Sequence, residues 1–315
     1  MHPTGGSQPI ACGLRRGRSR REAGLPLAAV CILVAVLVSA TAPTSLQAQD
    51  RSSEWTAPRW MGDVAFVGTN ALFGGLSAGL MQHLEGGDFR DGFTRGAFGG
   101  MTAYAGRRIA AAEFSGAGLV GRQVSAVGAS VVRNAGEGRP SLERLVFPMG
   151  PVRLYVDRAR EAEVRPRVAL YDLAWIVTFA ARSETEVDWS ASLSSGAPVF
   201  RSPQRSYKDR RGEAVDGLAA GGSIGVSDIF HDRSRQVLPH ERVHVLQHDF
   251  AFLVWSDPVE KRIMARHRWT RELSRYVDLG LVFPTLRGAF YRGFDIRHSQ
   301  QLAEIEAMFL DGGAR

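Results

Sequence analysis

The chain is 315 residues long, 44% hydrophobic and 23% charged, which is enough apolar material for a sizeable core in one or two domains. Its net charge of +7 does not point to nucleic acid: five arginines between Arg15 and Arg21 outweigh Glu22 and Asp50, leaving the remainder near +4, and no Lys/Arg run interleaved with aromatics follows residue 60. Both cysteines, Cys12 and Cys31, lie in the same early stretch, so the rest of the chain has neither a disulfide framework nor a thiolate metal ligand.

Residues 1–48 read as a signal peptide. Arginines precede the uncharged apolar run Leu25 to Ala40, and small and polar residues follow through Ala48. An uncleaved N-terminal anchor is the other reading of the same pattern. Either way the expected location is the periplasm or cell envelope.

Residues 60–135 are rich in glycine and read as helical. Val64 to Met81 is eighteen residues without a charge, long enough to be a candidate membrane span. Gly75 and Gly79 are four apart, Gly96 and Gly100 repeat the interval, and Gly118 and Gly121 follow, a spacing that lets helix backbones approach closely. In water each helical glycine costs about 1 kcal/mol relative to alanine, so tight contacts must recover the deficit. A membrane could supply them, and so could a compact cluster packed on the rest of the chain. The spacing resembles that of glycine-zipper hairpins, with His83 to Arg95 as the first connection.

Residues 140–315 change character. Gly150 to Asp157, Arg167 to Ala180, Val187 to Leu193 and Pro198 to Phe200 carry the β-branched and aromatic residues of strands. Arg201 to Glu213 reads as an exposed loop, and Gly217 to Val226 as a strand or a flap. A helix then opens with Pro239 in its first turn, and Val243, Leu246, Phe250 and Leu253 form its apolar stripe. His240, His244 and Gln247 share a different arc. Four residues apart, the two imidazoles can face one ion, and Glu241, about 100° further round, can act on a metal-bound water as a general base without being a ligand. His248 falls off that arc. A last helix, Ser299 to Leu310, has Leu302, Ile305 and Phe309 on one side and carries Glu304 and Glu306, either of which could be a third ligand.

The His240-Glu241-x-x-His244 core resembles that of zincin metallopeptidases. Phe250 and Gln247 stand where the metzincin branch needs histidine and glycine, which excludes that branch. Glu304-Ile305-Glu306-Ala307 is similar to the Glu-x-x-Ala of gluzincin second helices, and the whole also resembles envelope-associated zincin-like domains of uncharacterised function. The resemblance implies an α+β fold in which a short sheet precedes the metal helix, its edge strand pairing with an extended peptide. It implies Zn²⁺ on His240, His244 and Glu304, with Glu306 as the alternative third ligand, and hydrolysis of a peptide or protein substrate with Glu241 as general base. It also implies a transition-state donor, for which His267, Tyr276, Tyr291 and His298 are available. Met308 replaces the aspartate that many such enzymes use to orient a zinc histidine, which leaves Asp311 as a candidate for that work. The competing expectation is a non-enzymatic, membrane-associated envelope protein that pairs glycine-zipper helices with a degenerate zincin fold. Membrane association is expected under both, and the sequence leaves the oligomeric state open.

Overall fold

A computed structural model describes residues 59–159, 162–182, 184–203, 207–208, 214–229, 234–285 and 302–311. The expected signal over 1–48, most of the loop expected over Arg201 to Glu213, and the candidates Tyr291 and His298 lie outside these residues.

Helices α1 (Arg59–Leu84), α2 (Phe89–Ala110) and α3 (Ala117–Gly136) run back and forth. Asp88 starts α2 by accepting the N–H groups of Arg90 and Asp91, two of the donors that a first helical turn leaves free. Glycine decides how closely the three pack. A Cβ at Gly74, Gly96 or Gly100 would strike the facing backbone between α1 and α2, and one at Gly99, Gly106, Gly121 or Gly128 would do so between α2 and α3. Trp60–Leu84 is long and apolar enough to cross a membrane, although 33% of its apolar window is buried in the fold.

Strands β1 (Arg144–Met149), β2 (Val152–Asp157) and β3 (Glu163–Ala169) form an antiparallel sheet. The chain then departs from expectation. Leu170 to Ala180 is not strand but helix α4 (Leu170–Ala180). An eleven-residue apolar run without alternation cannot be told from a helix by period, and Asp172 in its first turn, paired with the buried Arg153 at 2.7 Å, favours the helix. Val187 to Leu193 is likewise not one strand. After β4 (Glu186–Val187), Asp188 accepts the N–H of Ala191 and starts α5 (Trp189–Ser195), which Gly196 ends in the left-handed region.

Strands β5 (Val199–Ser202), β6 (Tyr207–Lys208), β7 (Ala214–Val215), β8 (Gly217–Ala220) and β9 (Ser223–Ser227) follow. The second sheet has the order β4-β5-β9-β8, with β5 and β9 parallel. Gly217 to Val226 is thus a hairpin, turned by Gly221 and Gly222 at φ of 51° and 67°. Strand β8 lies at the sheet's edge.

Helix α6 (Ser234–Ala251) starts five residues before Pro239, not at it, so the proline sits inside the helix. The chain continues through a π-helical turn (Phe252–Ser256) into α7 (Asp257–Met264), then α8 (Arg268–Leu273), β10 (Val277–Asp278) beside β3, and α9 (Leu302–Asp311). Val243, Leu246, Phe250 and Leu253 are all buried, as their stripe requires. The fold is α+β.

The boundary expected between 135 and 140 carries no break in packing. Ala78, Ala103 and Ala129 of the glycine-rich helices share one core with Val146, Phe250 and Leu253, and Tyr104 shares another with Val243, Ala307 and Phe309. Ion pairs buried in the same interfaces reinforce the join. Arg122 of α3 meets Asp249 of α6 at 2.7 Å, and Arg133 of α3 meets Asp257 of α7 at 2.7 Å. These two arginines hold Asp257 and Asp249 below the ordinary carboxylate range against the opposing effect of burial.

Because a methyl at Gly100 would strike the backbone of Asn70, Gly100→Ala is expected to cost about 1–3 kcal/mol in denaturant unfolding. At Gly68, on the same stretch of α1, an added methyl meets nothing within 4 Å, and Gly68→Ala is expected to stabilise by up to about 1 kcal/mol. Equal effects at the two positions would contradict the packing described.

Candidate metal centre

Helix α6 presents His240 and His244 one turn apart, and α9 crosses beside them carrying Glu304. The two Nε2 atoms are 3.0 Å apart. Glu304 straddles them, with Oε1 3.1 Å from His240 Nε2 and Oε2 2.9 Å from His244 Nε2. Among the described residues, these three groups could hold a metal ion, their ligand atoms all lying within 4.8 Å of one another.

The outer nitrogens are fixed as well. His240 Nδ1 lies 2.8 Å from Asp311 Oδ2, and a carboxylate only accepts, so the proton belongs on Nδ1. His244 Nδ1 lies 2.8 Å from Gln247 Oε1. The amide cannot be the other way round, because Gln247 Nε2 donates both to the carbonyl of Ala303 at 2.9 Å and to Glu306 Oε2 at 2.8 Å. Both imidazoles therefore carry hydrogen on Nδ1 and turn Nε2 towards Glu304. Partners of this kind orient metal-binding histidines and raise their basicity.

The charge balance in the cluster asks for a cation. Burial would lower the pKa of His240, but its bonds to Asp311 and Glu304, with the charge of Glu241 nearby, outweigh that and push it up to about 10.

Glu241 is 7% exposed and its carboxylate lies beside strand β8. Burial pushes its pKa up, against the pull of His244 and His240, and it accepts the N–H of Ala219. Gly217 has no room for a side chain, since a Cβ there would crowd Val237 and the Glu241 carboxylate.

The sequence candidates separate clearly. The structure brings His240, His244 and Glu304 together and sets Glu241 beside them. Glu306 faces away from the imidazoles and pairs with Arg107 at 3.2 Å. Asp311 reaches His240, whereas His248 stacks on Tyr171 with ring centroids 5.5 Å apart. His267 and Tyr276 are exposed at the two ends of the α8 segment. Sequence reasoning gave no role to Gln247, although its place on the histidine arc was the available signal. It had no means of finding Asn70 or Arg107, which lie far off in the chain.

No protein-family model, curated protein or solved structure matches this chain.

Because the pKa of His240 is pushed up to about 10, uptake of a divalent ion near pH 7 is expected to release about one proton per ion. Affinity should rise with pH until His240 loses that proton unaided near pH 10. Calorimetry in buffers of different ionisation enthalpy measures the release, and uptake with no proton release would contradict the charge assignment.

Proposed function

We propose that the protein is a zinc-dependent metallopeptidase of gluzincin type, exported to the cell envelope and associated with its membrane. The observation that carries the reading is the convergence of two imidazoles from one helix with a carboxylate from another, each imidazole held by its own Nδ1 partner. Two histidines and a glutamate are a donor set of catalytic zinc, which keeps a fourth position open. The 3.0 Å between the two Nε2 atoms approaches the edge of a zinc tetrahedron, about 3.3 Å for bonds near 2.0 Å, and each Glu304 oxygen lies 2.9 or 3.1 Å from one of them.

Bound there, zinc would lower the pKa of water towards about 7 and polarise a carbonyl. Glu241 supplies the base. Its raised pKa suits a group that takes a proton and passes it on, because proton transfer is most efficient when the pKa lies nearer the working pH. Ala219 N–H holds the carboxylate in place, and Gly217 leaves it space. Strand β8 lies at the sheet edge beside this base, where an extended peptide could add as a further strand and bring its carbonyl to the cluster. Support for export comes from the presequence pattern. Support for membrane association comes from α1, whose Trp60, Met61, Val64 and Leu72 stay exposed.

Glu241→Gln should cut peptide hydrolysis by about 10²–10⁴-fold, while metal analysis finds close to one zinc per chain in both forms. Unchanged turnover in this variant would reject Glu241 as the base. A wild-type protein that takes up no zinc would reject the enzyme reading and favour the non-enzymatic envelope protein.

A further inference from the structure

The glutamate that is not a ligand has an unusual set of partners. Glu306 is 6% exposed and both of its oxygens are used. Oε2 accepts from Gln247 Nε2 at 2.8 Å, and Oε1 accepts from Asn70 Nδ2 of α1 at 2.9 Å and lies 3.2 Å from Arg107 Nε of α2. Arg107 also donates through Nη2 to Asn70 Oδ1, and Asn70 Nδ2 is tied back to the carbonyl of Phe66. Arg107 is 2% exposed and packs over the ring of Phe250 on α6. None of these groups has freedom to reorganise alone.

This arrangement fixes the Gln247 amide. With Glu306 and Ala303 both presenting acceptors, Nε2 must face them, so Oε1 must face His244. A rotated amide would present N–H groups to His244 Nδ1 and favour the opposite tautomer, turning a protonated nitrogen towards Glu304. The nearness of Asn70 and Arg107 depends in turn on α1 and α2 touching at Gly74, Gly96 and Gly100, since a side chain at Gly100 would strike the carbonyl of Asn70.

Resting on the metallopeptidase reading above, we propose that Glu306, clamped by Asn70 and Arg107 of the glycine-packed helices, is a positioning residue that holds His244 in its metal-binding tautomer through Gln247. The glycine-rich region is then part of the metal site's support and not only an attachment to a surface. Chain elements more than two hundred residues apart set the orientation of one imidazole.

The test is a double-mutant cycle on zinc affinity, measured by competition with a chelator on the full chain and paired with the visible spectrum of the cobalt-substituted protein. Gln247→Leu removes the partner of His244 and should weaken zinc binding about tenfold, as loss of such a partner commonly does. Glu306→Gln should weaken it to a similar extent and shift the cobalt spectrum. The double variant should be no weaker than Gln247→Leu alone, because both act through one bond. Asn70→Ala, which keeps the pair between Arg107 and Glu306 and so spares the fold, should give a smaller loss in the same direction and provides the reading if Glu306→Gln does not fold. Losses that multiply in the double variant would overturn the relay. So would zinc binding within twofold of wild type in Asn70→Ala and Glu306→Gln with unchanged cobalt spectra. These outcomes leave the metallopeptidase reading standing, whereas a wild-type chain that binds no zinc would sink that reading itself.

Discussion

Buried acids need counter-charge, and three of them gather around helix α6 and its neighbours α9 and β8. Glu241, Glu304 and Glu306 are each less than a tenth exposed. An isolated ionised carboxylate in such a setting would shift its pKa and take up a proton. The two glutamates of α9, two residues apart, meet different solutions. Glu306 receives a guanidinium from α2, while Glu304 faces two imidazoles whose outer nitrogens are already committed. A structural ion pair and a group that could hold a metal ion thus arise from neighbouring positions on one helix, and the difference lies in what the facing elements bring.

Glycine sets the reach of that supply. A helix spends about 1 kcal/mol on each glycine, and this chain places several where backbones touch, so that Arg107 and Asn70 come within bonding distance of a carboxylate on the last helix. Larger residues would widen the interface and leave Glu306 buried without its partners, a costly outcome because removing one member of a buried pair typically costs about 3–5 kcal/mol. Stability and site geometry therefore draw on the same contacts. Pairs such as Arg122 with Asp249 and Arg133 with Asp257 extend this logic down the length of α6 and into α7.

Local patterns were legible in the sequence and long-range partners were not. The stripe Val243, Leu246, Phe250 and Leu253 and the i, i+4 histidines follow from helical periodicity alone, and all appear in the structure as that periodicity demands. Leu170 to Ala180 misled because a short apolar run reads equally as strand or helix, and Asp188 was a capping residue whose signal was outweighed by Val187, Trp189 and Leu193 around it. The sequence pointed to Glu304 with Glu306 as the alternative, but held no physical means of separating them. Only Glu306 falls on the apolar face of α9, whereas the Glu-x-x-Ala match favours Glu304, and what separates them is Arg107, nearly two hundred residues earlier. Gln247 was visible on the histidine arc, but its use depends on an acceptor at Glu306 that only the folded chain supplies.

The central claim is that His240, His244 and Glu304 are arranged to bind zinc, and the most direct measurement is anomalous diffraction at the zinc edge from crystals of the zinc-loaded protein. The account predicts one strong peak with His240 Nε2, His244 Nε2 and a Glu304 oxygen each at about 2.0–2.2 Å, and with Asp311 and Gln247 still on the two Nδ1 atoms. An empty cluster at saturating zinc, or an ion bound elsewhere with Glu304 turned away from the imidazoles, would contradict it.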